Sequence, residues 1–259
     1  MSDLESLFRW AIYYDYRTTP ERILRNLRNR LYGGVNDLHD TSVINVYSRL
    51  TDCSAEQISR SHLVLSISEF LGRYKQNIMQ EARSRGIDAR AVAAAISWEF
   101  QENLKGRLTD YAQIFFPGKT SGIGWGSMHT QEAQRLTQSR HSVSEIACIR
   151  MDAMTVIPLV AQFMKDCVDL YFKESGGVFI GQDSAVVAYF YNTGLNKVKE
   201  SASKQRKKLE HLPYSPKAVR LKVLINPMAR WVHDNITQFE HFKTEPQWPL
   251  KVRTVAVAE

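Results

Sequence analysis

Apolar residues recur at helical spacing over most of the chain. Leu4, Leu7, Phe8, Ala11 and Ile12 form a stripe near the start. Thr19-Pro20 then reads as the N-cap and first-turn proline of a helix that stops at Gly33-Gly34. Ser54 with Gln57 has capping-box spacing, and an amphipathic run to about Arg85 follows it. Gly86 closes the run, and Asp88 caps the next helix, Ala-Arg-Ala-Val-Ala-Ala-Ala-Ile-Ser-Trp-Glu-Phe. From Gly106 to Gly126 the period is lost and glycine is frequent, which predicts loops or a small hairpin. Ser142 with Glu145 repeats the capping box, and helical periodicity resumes through Val160, Phe163, Met164, Cys167, Val168 and Tyr171 until Gly176-Gly177. Asp183 caps a helix to Tyr191, and another follows Gly194. Pro216 opens one more, which Pro227 should kink or split. Strand-like alternation is confined to the tail, Lys251 to Ala258, and to Val178 to Ile180.

These elements predict a mainly α fold with a small irregular or β lobe. An amino-terminal helical extension occupies residues 1–53, one helical domain residues 54–240, and a tail residues 241–259. The 259 residues are 44% hydrophobic and 24% charged, too apolar for disorder and too charged for a membrane bundle. No apolar run reaches the length of about 18 residues that a spanning helix needs. Cys53, Cys148 and Cys167 are too few and too scattered for a disulfide framework or a zinc cluster, so free, partly buried thiols are expected. The seven histidines show no ligand spacing, and neither a metal site nor a cofactor is expected. The first residues are acidic where a signal peptide is basic, so the protein is expected to be made in the cytosol.

Charge changes the picture in one place. The net charge is +7, and between Lys197 and Lys222 nine basic residues stand against Glu200 and Glu210, an imbalance equal to the whole excess. Such a patch is either a site for a polyanion or a solvated helix face.

Candidate chemistry sits earlier. Val92, Ile96, Glu99 and Asn103 share one helix face, which puts a carboxyl group on an apolar stripe just before the glycine-rich segment. Burial favours the neutral form of a carboxyl, the state a general acid requires. The alternative is a structural Glu99 that caps a neighbour or pairs with an arginine. Cys148 and Cys167, on amphipathic helices, read as packing residues rather than nucleophiles. Gly118-Lys119-Thr120 looks like the end of a phosphate-binding loop but lacks the earlier glycine, Gln113 standing in its place.

Three segments in order carry a resemblance. An apolar helix ends in Glu99 with Asn103 four residues on, Gly122-Ile-Gly-Trp-Gly-Ser-Met-His129 follows, and Ala185-Val-Val-Ala-Tyr-Phe-Tyr-Asn-Thr-Gly194 comes last. Together, over about residues 88–200, they resemble the Glu-Ser-x-x-Asn, Gly-x-Gly-Leu-Met-Gln and Ala-Ala-Tyr-Asn-Ala-Gly motifs of goose-type lysozymes and lytic transglycosylases. The resemblance implies a lysozyme-like fold and cleavage of the β-1,4 bond between N-acetylmuramic acid and N-acetylglucosamine in peptidoglycan. Glu99 matches the catalytic acid. Asn103, Gly124, Met128, His129, Tyr189, Tyr191 and Asn192 fall at cleft positions, with glycines 122, 124 and 126 allowing the backbone to approach the sugar. Trp125 either stacks on a sugar or packs in the core.

The pattern is not followed throughout. Phe100 replaces the serine beside the acid, His129 a glutamine, Thr193 an alanine and Ser127 a leucine. Glycosidases often set two carboxyls roughly 5–9 Å apart. Candidates for the second are Glu102, Asp110 and Glu132; of these Asp110 is best placed to reach across a cleft, and a turn or capping role is the equal alternative for it. Transglycosylases of this superfamily need none, because the substrate's N-acetyl group assists.

The expected partners are therefore peptidoglycan strands and, for an antibacterial effector delivered by a type VI machine, a cognate immunity protein. A phage-type endolysin is the other delivery route, and both end in the periplasm or cell wall of a target cell. The competing class is a non-catalytic basic helical protein that binds nucleic acid or another polyanion through the 197–222 patch.

Overall fold

Side-chain caps set where the helices begin. A computed structural model describes residues 48, 53–62, 64–102, 122–138, 141–209 and 224–243. Ser54 starts α1 (Ala55–Ser59) with the expected box: its hydroxyl accepts from Gln57 N–H, and Gln57 Oε1 accepts from Ser54 N–H at 2.9 Å. The amphipathic run beyond is not one helix. It is divided into α2 (Ile67–Arg73), which a second capping box of Ser66 and Glu69 sets apart from α1, and α3 (Lys75–Ser84), which follows after Tyr74. A serine hydroxyl that satisfies the backbone of a new first turn competes with continuation of the old helix.

Asp88 precedes α4 (Ala89–Glu102), and its carboxylate accepts from Arg90 N–H at 3.0 Å. Every residue from Ala91 to Ser97 is buried, so α4 is enclosed on all sides over two turns rather than on one stripe. The glycine-rich segment yields the small hairpin. β1 (Gly122–Ile123) pairs antiparallel with β2 (Met128–His129), Gly122 opposite His129 and Ile123 opposite Met128.

Helix α5 (Thr130–Thr137) leaves β2 directly, and the Ser142–Glu145 box starts α6 (Val143–Met151). Then come α7 (Ala153–Ser175), α8 (Ser184–Thr193) capped by Asp183, α9 (Leu195–Leu209), α10 (Pro227–Asn235) and a 3-10 helix (Ile236–Phe242). The fold is mainly α, with one two-stranded sheet among the described residues.

Two local expectations need correction. Pro227 does not interrupt a helix; it is the first residue of α10, with Asn226 as N-cap, where a missing N–H costs nothing. Val178 to Ile180 belongs to no strand. The stripe near the start, the helix after Thr19, the helix opening at Pro216 and the tail alternation lie outside the described residues. No described helix is long and apolar enough to cross a membrane.

The chain divides into two compact units. The first comprises Met1–Ile78 with Val92–Phe163, the second Met79–Ala91 with Met164–Glu259. In the first, Cys53 and Cys148 are joined by a disulfide across a sequence separation of 95. This overturns the expectation of free thiols: folding sets Cys53 beside α6, a proximity that cysteine count and spacing do not encode. Cys167 is buried and forms no disulfide among the described residues.

Close by in sequence, Arg60 grips the buried Asp152 with two parallel bonds of 2.7 and 2.8 Å. Ser61 bridges to Asp152, and Ala153 N–H reaches Arg60 O. In the second unit Asp88 is the buried acid. It accepts from Ser184 Oγ at 2.9 Å and from the Arg90 guanidinium, which also meets Glu240.

Candidate functional site

Glu99 occupies the last turn of α4 and is only 8% exposed. One turn earlier the helix is alanine and isoleucine, and Ser97 spends its hydroxyl on Ala93 O at 2.8 Å. The next residue explains a departure from the motif. Phe100 stacks on Trp125 with ring centroids 5.5 Å apart and planes at 18°, so the position beside the acid anchors the hairpin.

Trp125 is wholly buried. Phe70 lies 4.2 Å from it, Phe100 covers it as well, His62 meets it edge-on at 6.1 Å, and its Nε1–H donates to Arg60 O at 3.0 Å. With Phe70 and Phe100 on the ring, the indole is a core residue and not a platform for a sugar. The hairpin is thus pinned from inside to α2, to the turn after α1 and to the end of α4.

The glycines serve the same packing. A Cβ on Gly124 would stand 2.1 Å from Arg150 O, and its φ of +76° is strained for any side chain. A Cβ on Gly122 would meet Ser127 O at 2.1 Å. Their freedom is used for close approach of protein to protein, where the resemblance implied approach to a sugar. Met128 is buried and its carbonyl accepts from Arg150 Nη1 at 2.8 Å; Arg150 itself is completely buried. Of the hairpin residues matched to the motif, His129 is the exposed one, at the N-cap position of α5 with no side-chain cap bond.

The buried acids among the described residues are Asp88, Glu99 and Asp152. Asp152 raises the pKa of Arg60 through its hydrogen bonds, against the cost of burial, and Asp88 does the same for Arg90. Both aspartates are therefore structural clamps. Glu132 pairs with Arg135 three residues on, a surface pairing on α5. Asn103 and Asp110 lie outside the described residues.

In the second unit α8 carries the other matched positions. Phe190 points inward against Tyr171, with centroids at 5.3 Å, while Tyr189 is half-buried and Tyr191 is 9% exposed. Asn192 is exposed, and its Oδ1 accepts from Asn226 Nδ2 at 2.9 Å. Asn226 escaped the sequence reading, although Asn before Pro is an N-cap signature. On α9, Glu200 sits between Lys197 and Lys204 and binds both, so part of the basic run is internally compensated.

The structure thus brings the Glu99 turn and the 122–129 hairpin together in one unit, and Tyr189, Tyr191 and Asn192 together in the other. A carboxyl group withdrawn from water beside a rigid hairpin can give a proton to a bound group or take one from it. Among the described residues no cluster of three or more potential metal ligands occurs. No protein-family model, curated protein or solved structure matches this chain.

Proposed function

We propose that the protein is a peptidoglycan muramidase in which Glu99 is the general acid for cleavage of the β-1,4 bond between N-acetylmuramic acid and N-acetylglucosamine. The observation that carries this reading is Glu99 itself: a carboxyl 8% exposed at the end of an enclosed apolar helix, next to the residue that anchors the hairpin. In this reading Glu99 protonates the glycosidic oxygen as the bond breaks, and the substrate's N-acetyl group or Asp110 supports the developing positive charge. Each unit offers the polymer its own contacts: His129 in the first, and Tyr189, Tyr191 and Asn192 in the second.

The Cys53–Cys148 disulfide supports an extracytoplasmic workplace, since disulfides persist in oxidising compartments and are rare in the cytosol. That favours the cell wall over nucleic acid as the polyanion attracted by Lys199, Lys204, Arg206 and Lys207, all exposed on α9. Delivery as a type VI antibacterial effector, with a cognate immunity protein in the producing cell, or as a phage-type endolysin, fits the same reading.

The test is digestion of purified peptidoglycan by wild type and Glu99→Gln, with product masses recorded. The amide keeps the shape and removes the proton donor, so a loss of about 10²- to 10⁴-fold is expected with an unchanged circular dichroism spectrum. Equal activity of the two proteins overturns the assignment. Salt-dependent retention on DNA, with no glycan cleavage by wild type, replaces it with the polyanion-binding reading.

A further inference from the structure

Two side-chain amides in the second unit have their orientations settled by one backbone N–H. Asn226 caps α10, and the atom that accepts Ala229 N–H at 3.0 Å has to be its oxygen. Its nitrogen is therefore the atom facing Asn192, 2.9 Å away, and a nitrogen with hydrogens meets an acceptor. Asn192 must present Oδ1 to Asn226, which leaves its Nδ2 on the opposite side of the amide plane. Asn192 is exposed near the carboxyl end of α8, so that nitrogen is a donor with a fixed direction. Packing of α8 on α10 holds the two asparagines in register.

We propose that Asn226 is a positioning residue for glycan binding: by holding the Asn192 oxygen it turns the Asn192 N–H outward to donate to an oxygen of an N-acetylated sugar. The proposal rests on the muramidase reading above and adds a residue that no motif match contains. An unheld asparagine samples both amide faces and offers donor and acceptor alike. The held one offers only the donor, already oriented, so binding loses less rotamer freedom.

Asn226→Asp separates this role from capping. Aspartate keeps the oxygen that caps α10, at a helix start where negative charge is favourable, so the fold is expected to hold. It has no N–H for Asn192 and repels its oxygen, so the Asn192 amide turns over and shows an acceptor instead. Binding of the N-acetylglucosamine trimer by calorimetry should weaken about tenfold, the worth of roughly one hydrogen bond. With peptidoglycan KM should rise in step while kcat changes little. The side-chain amide resonances of Asn192 should shift in the free protein, before any ligand is added. Asn226→Ser, which also caps but lacks the amide, should fall between Asp and wild type.

Trimer affinity and KM at wild-type values in a folded Asn226→Asp protein overturn the proposal and leave the muramidase reading standing. A wild-type protein that neither binds the trimer nor cleaves peptidoglycan overturns both.

Discussion

The two units each bury an aspartate against an arginine, and they use the pair for different purposes. In the first, Asp152 and Arg60 are 92 residues apart, and the pair ties the end of α1 to the junction of α6 and α7. The disulfide from Cys53 to Cys148 spans the same two segments, and the Trp125 indole bonds the carbonyl of the same arginine. In the second, Asp88 and Arg90 are two residues apart, and the long-range work falls to Ser184 and Glu240. The first unit concentrates covalent, ionic and aromatic ties on one small region beneath the hairpin. The second ties its segments through Asp88, by way of Ser184 and the Arg90–Glu240 pair. The first arrangement holds the hairpin in place, because a hairpin of two residues per strand has little stability of its own.

Breaking the clamps should expose this contrast. Asp152→Ala removes both parallel bonds from Arg60 and leaves that guanidinium only the exposed Glu56 among the described residues, so a loss of about 3 kcal/mol is anticipated. Denaturant unfolding followed by circular dichroism measures it. Cys53→Ser with Cys148→Ser falls in the same class, with about 2–4 kcal/mol expected from the freed 95-residue separation. Hydrogen exchange should show the loss of protection at β1, β2 and α6, with α8 and α10 unaffected. Comparable loss throughout would erase the distinction between the units.

Asp88→Ala should cost less, about 1–2 kcal/mol, because Arg90 lies only two residues away and keeps the half-buried Glu240, and the losses are a helix cap and the Ser184 bond. A loss equal to that of Asp152→Ala would show that the second unit is clamped as firmly as the first.

The smallest effect is expected on α9. Hydrogen bonds from Lys197 and Lys204 pull the Glu200 carboxyl down to about 2. Since the folded value lies below the ordinary one, its contribution is complete above the usual carboxylate range and fades as pH falls toward 2. The group is fully exposed, so the change in thermal stability should sit at the limit of detection. Carboxyl NMR in low and high salt gives the check: the midpoint should climb toward the ordinary range as salt screens the lysines.

What could be read from the sequence was local. Ser54 with Gln57, Ser142 with Glu145 and Asp183 each act within three residues, so their spacing alone places helix starts. Asn226-Pro227 carries an equally local signal with two meanings, since proline breaks a helix interior but suits a first turn, and the asparagine before it decides for the first turn. Ser66 and Glu69 were hidden in a longer periodic run that matched one helix as well as two. The burial of Glu99 followed from its place on an apolar face. The nonlocal facts were out of reach. Nothing near Cys53 names Cys148 as its partner, and the occupancy of Trp125 by Phe70 and Phe100 depends on rings 25 and 55 residues away. Glycines 122 and 124 were recognised as close-approach positions, but sequence does not say what approaches.

The link between Cys53 and Cys148 also makes the intervening chain a closed ring. A protease that cuts once anywhere between residues 54 and 147 leaves both pieces joined through the sulfur bridge. Such a nicked protein runs at full mass on a non-reducing gel and separates only when a thiol is added. In a compartment rich in peptidases, a single cut in this ring does not release a fragment.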